Sequence, residues 1–186
     1  MVVRKRPVSD KERANKDHDS VTCLNPVVWV HNCKLKVDGI SKYLDHSSFC
    51  FDFGFDDGCS TNDVYRHSTF PLVKFFCSGK GGRATVFAYG QTGSGKTYTM
   101  SGIESMVAND VFKLLESDRS SVSTNDTVVL VSFFEIYGGR IQDLLNHGKR
   151  LKVLEDGKGE VVVTGLMEFE ANNPKHLLDF IESANK

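Results

Sequence analysis

Paired cysteines of the CxxC kind are missing from this 186-residue sequence. Its five cysteines, Cys23, Cys33, Cys50, Cys59 and Cys77, are odd in number and widely spaced. That argues against a zinc site or a disulfide framework and fits free thiols in a reducing compartment. No run of 18 or more apolar residues occurs, so nothing is expected to span a membrane. The opening residues Met1 to Pro7 lack the apolar stretch of a signal peptide. An excess of charge is missing too. The formal net charge is −1, which argues for neither a nucleic-acid nor a membrane partner, and any polyanion must be met by a local patch. No internal repeat or low-complexity segment is visible. What remains is 40% hydrophobic and 25% charged, ordinary for a globular domain with a proper core.

The most informative stretch is Gly90-Gln91-Thr92-Gly93-Ser94-Gly95-Lys96-Thr97, which fits the phosphate-loop pattern GxxxxGK[ST] at every fixed position. Its glycines let the backbone turn sharply and aim N–H groups at phosphate oxygens. A helix opening at Lys96 would point its positive end at the same anion. Lys96 can reach the outer phosphates, and the Thr97 hydroxyl can ligate Mg²⁺. Arg83 to Tyr89, running into the loop, reads as a buried strand. The motif predicts binding of a nucleoside triphosphate without saying which one.

Read in order, Val2 to Pro7 is a short strand with a basic cluster, Arg4, Lys5 and Arg6. Ser9 to Asp19 is a loop or short exposed helix. Val21 to Phe53 is β-like, with Val27 to Val30 and Phe49 to Phe51 flanking a charged hairpin-like stretch, Lys34 to Gly39. Thr61 or Asn62 caps a helix running to about Cys77, which Pro71 either kinks or restarts. Ser105 to Glu116 reads as a further helix, and Arg119 to Asp126 as a polar loop. Thr127 to Phe134 is a continuous apolar run, the best candidate for a central strand covered on both faces. Leu151 to Leu154 and Glu160 to Val163 read as two strands around the turn Asp156 to Gly159. Pro174 to Ala184 reads as a helix with Leu177, Leu178 and Ile181 on its buried stripe. Strands and helices alternating around a phosphate loop predict a three-layer α/β domain with ligands beyond the strand ends.

Several blocks, in order, resemble the kinesin motor domain: Val3 to Pro7 (an RxRP element), Phe87 to Met100 (FAYGQTGSGKTYTM), and Phe133 to Tyr137 followed by Asp143-Leu144-Leu145 (the FxEIYxxxxxDLL strand–helix element). The resemblance covers essentially the whole chain. Lys36-Val37-Asp38, Lys42-Tyr43-Leu44, Phe49 to Phe53 and Glu155-Asp156 are similar to the internal-motor kinesins (kinesin-13), which depolymerise microtubules. The resemblance implies an α/β, three-layer P-loop NTPase motor domain with a central, mostly parallel sheet between helices. It implies ATP or ADP with Mg²⁺ as cofactors, tubulin as partner, and a location on microtubules of the cytoplasm, spindle or flagellum.

By the same resemblance, Pro7 and Tyr98 would sandwich the adenine, and Arg4 and Arg6 would line the base and ribose. Gly90, Gln91, Thr92, Gly93, Ser94, Gly95, Lys96 and Thr97 would hold the phosphates, with Thr97 on the Mg²⁺. The lesser alternative for Tyr98 is a packed aromatic at a helix start. Lys36, Val37 and Asp38 would form a finger pressing on tubulin. Lys158, in the turn Asp156 to Gly159, would touch tubulin or sit on a plain solvated hairpin. Glu135 and Tyr137 are expected to be structural. The switch segments NxxSSRSH and DLAGSE of the family do not occur, so the catalytic residues are not assigned and residues 1–186 read as the N-terminal portion of a motor domain. After Met100 the chain departs from the family's longer polar loop: either the loop is short here or part of it is absent from these residues. Two functions stay open: part of a tubulin-stimulated ATPase, or a non-hydrolysing module that binds nucleotide or tubulin.

Overall fold

A computed structural model describes residues 1–118 and 127–185. It divides into two compact units, Met1–Met106 and Val107–Lys186. The expected loop Arg119 to Asp126 lies outside the described residues.

In the first unit, β1 (Val2–Arg4) pairs in parallel with β5 (Phe53–Phe55). Beside them β2 (Val21–Leu24), β3 (Val27–Leu35) and β4 (Lys42–Cys50) form an antiparallel sheet in that order. The β3–β4 ladder is unbroken from Val27↔Cys50 to Leu35↔Lys42. α1 (Asp10–Ala14) is too short to hold itself by propensity. A capping box sustains it: Ser9 Oγ accepts from the Glu12 amide at 3.3 Å, and the Glu12 carboxylate accepts from the Ser9 amide at 2.8 Å. α2 (Thr61–Ser68) uses the same device with Ser60 and Asp63, so the cap is one residue earlier than expected. α3 (Phe70–Phe76) follows after Thr69, with Pro71 in its first turn where no helical N–H is needed. Val28, Phe55, Val64, Tyr65, Val73 and Ile103 supply the buried apolar side chains of this unit.

α4 (Lys96–Asp118) is a single 23-residue helix. The sequence reading had divided this stretch after Met100. Gly102 sits inside it without breaking it, because the backbone there is packed closely: a Cβ on Gly102 would lie 2.7 Å from Thr61 Cγ2.

The second unit is antiparallel throughout. β7 (Phe134–Tyr137), β8 (Arg140–Asp143), β9 (Lys149–Glu155) and β10 (Val161–Thr164) form a meander in sequence order. Gly138 and Gly139, at φ 55° and 72°, make the two-residue β7–β8 turn, a geometry that favours glycine at both positions. β6 (Val129–Val131) pairs with β11 (Phe169–Ala171). α5 (Pro174–Ala184) carries the predicted bounds, capped by Asn173 Oδ1 accepting from the His176 amide at 2.8 Å. Its Phe180 packs against Phe169 with ring centroids 5.2 Å apart.

Four expectations are corrected. The described sheets are antiparallel apart from the β1–β5 pair, so a central, mostly parallel sheet is not formed among the described residues. Arg83 to Tyr89 is neither strand nor buried, and Phe87 and Tyr89 are 80% and 97% exposed. A parallel strand draws its stability from neighbours on both edges and layers on both faces, and β-propensity alone does not supply them. The apolar run Thr127 to Phe134 gives only the short β6 with Leu130 exposed, then a break before β7. Asp143-Leu144-Leu145 enters a turn instead of a helix, where the Asp143 side chain accepts from the Leu145 amide and from the distant Met167 amide.

Candidate nucleotide site

The phosphate loop leads directly into the first turn of α4. Gly93 and Gly95 adopt φ 82° and 90°, the left-handed region that glycine enters at little cost. Ser94 N–H donates to the Gln91 carbonyl at 3.1 Å and closes the loop. The Lys96 ammonium folds back on that loop, donating to the Gly90 and Gln91 carbonyls at 2.7 and 2.9 Å. Lys96, Gly90 and Gln91 are therefore brought together, and the cation already belongs to the loop. Thr92, Gly93 and Thr97 are exposed, with Thr97 in the first turn of the helix.

The adenine-side residues fall into two arrangements. Arg4 is held by protein. Its Nη1 donates to Thr61 Oγ1 at 2.9 Å and Thr99 Oγ1 at 3.1 Å, and its Nη2 donates to the Cys59 carbonyl at 3.2 Å. The same guanidinium lies 5.4 Å from the centroid of the Tyr98 ring. Arg6 makes a forked pair with Glu12, one arm at 2.7 Å, and also donates to the Pro7 carbonyl at 3.0 Å. That pairing, helped by the Ser9 amide, lowers the Glu12 carboxyl to a pKa of about 2. Pro7 and Tyr98 are both exposed, Tyr98 by 72%.

Beside the loop lies a cleft of about 490 Å³, reached by Arg4, Arg6 and Ser94 and floored by Val28, Val30 and Phe49. Lys5 borders it. Burial works against the Lys5 charge, but its hydrogen bond to Asp19 at 2.5 Å prevails and raises its pKa. The cleft touches the predicted nucleotide residues on one side only, and Lys96, Thr97, Tyr98 and Pro7 do not line it.

Among the described residues no group of three His, Cys, Asp or Glu side chains could hold a metal ion. The donor set suits Mg²⁺ all the same. This ion keeps most of its waters and is commonly bound through one protein oxygen and the phosphates, and the exposed Thr97 hydroxyl is such an oxygen.

The tubulin candidates stand on turns. Lys36, Val37 and Asp38 occupy the β3–β4 tip, where Val37 is fully exposed. Asp38 is committed to the turn itself, its Oδ1 accepting from the Ile40 and Ser41 amides at 3.0 and 2.8 Å. A hydrogen bond from the Ser41 side chain, joined by those two amides, holds its carboxyl below the usual range. In the β9–β10 turn, Asp156 Oδ1 accepts from the Lys158 amide at 2.8 Å and leaves the Lys158 side chain exposed.

The sequence reading missed Thr61, Thr99 and Glu12. The Ser9-x-x-Glu12 spacing could have revealed the capping box and with it the partner of Arg6. Nothing in the sequence signals that Thr61 and Thr99 meet on one guanidinium.

Among the described residues no helix is long and apolar enough to cross a membrane. The family profile described as "Kinesin motor domain" matches residues 4–186. "Diatom spindle kinesin-1" of Cylindrotheca fusiformis is 50% identical over 185 residues, covering all of this chain. The chain spans only 29% of that relative's length. Neither comparison separates the internal-motor group from other kinesins. A phosphate loop opening a long helix, an RxRP element at the end of β1 and a family match over nearly every residue lead to one conclusion: the chain belongs to the kinesin motor domain family.

Proposed function

We propose that this chain is the nucleotide-binding portion of a microtubule motor that hydrolyses ATP with Mg²⁺ and is stimulated by tubulin. The observation that carries this is the loop from Gly90 to Thr97, turned by left-handed glycines and placed at the start of α4. Its N–H groups and helix end suit a polyphosphate. Binding exchanges two carbonyl partners of Lys96 for phosphate oxygens, a charge-assisted and therefore stronger pairing. Pro7 and Tyr98 offer exposed faces to the base, and Thr97 offers its hydroxyl to the metal.

Hydrolysis needs a positioned water and a further handle on Mg²⁺ and the γ-phosphate. Neither NxxSSRSH nor DLAGSE is present, so in this reading those parts come from elsewhere in the complete motor domain. Residues 1–186 are then its N-terminal portion. The exposed apolar segment Val86 to Tyr89 is assigned to the central sheet of that three-layer domain, where it gains strand neighbours.

The finer reading is depolymerisation of microtubule ends, with Lys36, Val37 and Asp38 as the finger. The nine-residue β3–β4 ladder with a fully exposed Val37 at its tip supports it. Work in the spindle is suggested by the name of the diatom relative. The alternative is a non-hydrolysing module that binds nucleotide or tubulin.

The test is ATP turnover with and without tubulin, measured on the full-length protein and its Lys96→Ala variant. Tubulin-stimulated turnover that the variant loses by a hundredfold or more, on the order of removing a principal charge-stabilising donor, supports the reading. Unchanged turnover in the variant overturns the phosphate-loop assignment. Nucleotide binding without turnover in the wild type selects the non-hydrolysing module.

A further inference from the structure

Tyr98 is the aromatic side chain assigned to the base, and it stands 72% exposed on the first turn of α4. An exposed aromatic ring samples several rotamers, and ordering it on binding costs affinity. One group limits that freedom here. The Arg4 guanidinium lies 5.4 Å from the ring centroid, in range of a cation–π contact. Arg4 is fixed in turn by acceptors from three segments: Thr61 Oγ1 in α2, Thr99 Oγ1 in α4 and the Cys59 carbonyl before α2. Its donors are directed at protein, so it offers the ring a flat cationic plane.

Thr61 is doubly engaged. Its hydroxyl accepts from Arg4, and its methyl carbon lies where a Cβ on Gly102 would come within 2.7 Å. Thr61 thus meets both β1 and the second turn of α4. Thr99, next in sequence to Tyr98, ties the turn that carries the ring to the same guanidinium.

We infer that Thr61 and Thr99 are positioning residues for base recognition: by clamping Arg4 they hold Tyr98 with one face covered by the guanidinium and the other presented to a purine. Arg4 in this arrangement backs the aromatic ring and does not itself contact the base. The inference rests on the nucleotide-binding reading above. It predicts that the threonines tune affinity for the base and leave affinity for the phosphates alone.

The experiment compares binding of ATP with binding of inorganic tripolyphosphate, which has the phosphates and no base, on the full-length protein. Thr99→Val keeps the side-chain shape and removes the hydroxyl. It should weaken ATP about fivefold, as expected for one hydrogen bond in such a network, and leave tripolyphosphate unchanged. Thr99→Ser should restore ATP binding. Thr61→Val provides the same comparison if Thr99→Val folds poorly. Arg4→Lys should behave like the valine variants, because an ammonium offers no plane to stack. Equal weakening of both ligands, or no weakening of either, overturns the inference. Failure of the wild-type protein to bind tripolyphosphate, with ATP still bound, would instead overturn the phosphate-loop assignment and the inference with it.

Discussion

Arg4 and Arg6 lie one residue apart, and each finds a protein partner. Arg4 is clamped by two hydroxyls and a carbonyl, and Arg6 is forked on Glu12. The Arg6–Glu12 pair makes a pH-dependent contribution whose sign follows from the lowered carboxyl. Glu12 titrates near 4.5 when unpaired and near 2 in the fold. The contribution is therefore complete above about pH 4.5 and is lost as pH falls from there toward about 2. Protection of the α1 amides, measured as exchange relative to an unstructured chain at the same pH, should fall across that window in the wild type. In Arg6→Gln protection should already be low above the window, and an unchanged profile in that variant would remove Arg6 as the cause. Asp143 is the other decisive residue. It is fully buried, and its two oxygens accept from the Leu145 and Met167 amides at 3.1 and 2.9 Å. Asp143→Asn turns a donor toward one of those amides and should cost about 1–3 kcal/mol in urea unfolding. Asp143→Ala unpairs both and should cost roughly twice as much. A neutral Asp143→Asn would mean that the amides find other acceptors.

Helix α4 illustrates how an element can be settled by its neighbour. Gly102 lies in its interior, where replacing glycine by alanine ordinarily gains about 1 kcal/mol. Here the added methyl meets Thr61 Cγ2 at 2.7 Å. Thr61 cannot swing away freely, because its hydroxyl holds Arg4. Gly102→Ala should therefore destabilise by about 1 kcal/mol or more, in the range of overpacking. Combining it with Thr61→Ser removes the crowded methyl, keeps the hydroxyl and should recover at least wild-type stability. Thermal melts of the two single variants and the double variant test this, and a stabilising Gly102→Ala alone would show that the contact gives way. At the β3–β4 tip the same logic separates the side chains by what they hold. The Asp38 side chain secures the turn through two amides, whereas the Lys36 and Val37 side chains are exposed and Lys36 serves the turn through its backbone alone.

For the molecule as a whole, the predictions concern function in the complete protein. Replacing Lys36 and Val37 together by alanine, with the turn-securing Asp38 kept, should leave basal ATP turnover within about twofold of wild type while abolishing loss of microtubule mass in a sedimentation assay, since exposed side chains away from a site seldom perturb the fold. Depolymerisation that survives would overturn the internal-motor reading and leave the kinesin assignment intact. The open state of Val86 to Tyr89 belongs to this scale as well. Thr85, Val86, Phe87 and Tyr89 are aromatic or β-branched, yet the stretch forms no strand among the described residues.

Sequence alone determined the local and the chemical: the phosphate loop with its glycines, the β9–β10 hairpin, the bounds of α5 and the family. Each of those rests on interactions a few residues apart, such as caps, tight turns and backbone amides aimed by their own dihedrals, so a short window contains the cause. Only the tertiary structure decided which apolar runs became strands, that α4 continues through Gly102, and which groups hold Arg4. Those outcomes depend on partners distant in the chain: Thr61 and Thr99 lie 57 and 95 residues from Arg4 and carry no pattern of their own. Strand formation at Arg83 to Tyr89 and at Thr127 to Phe134 likewise depends on neighbours across a sheet, where pairing and burial outweigh intrinsic propensity.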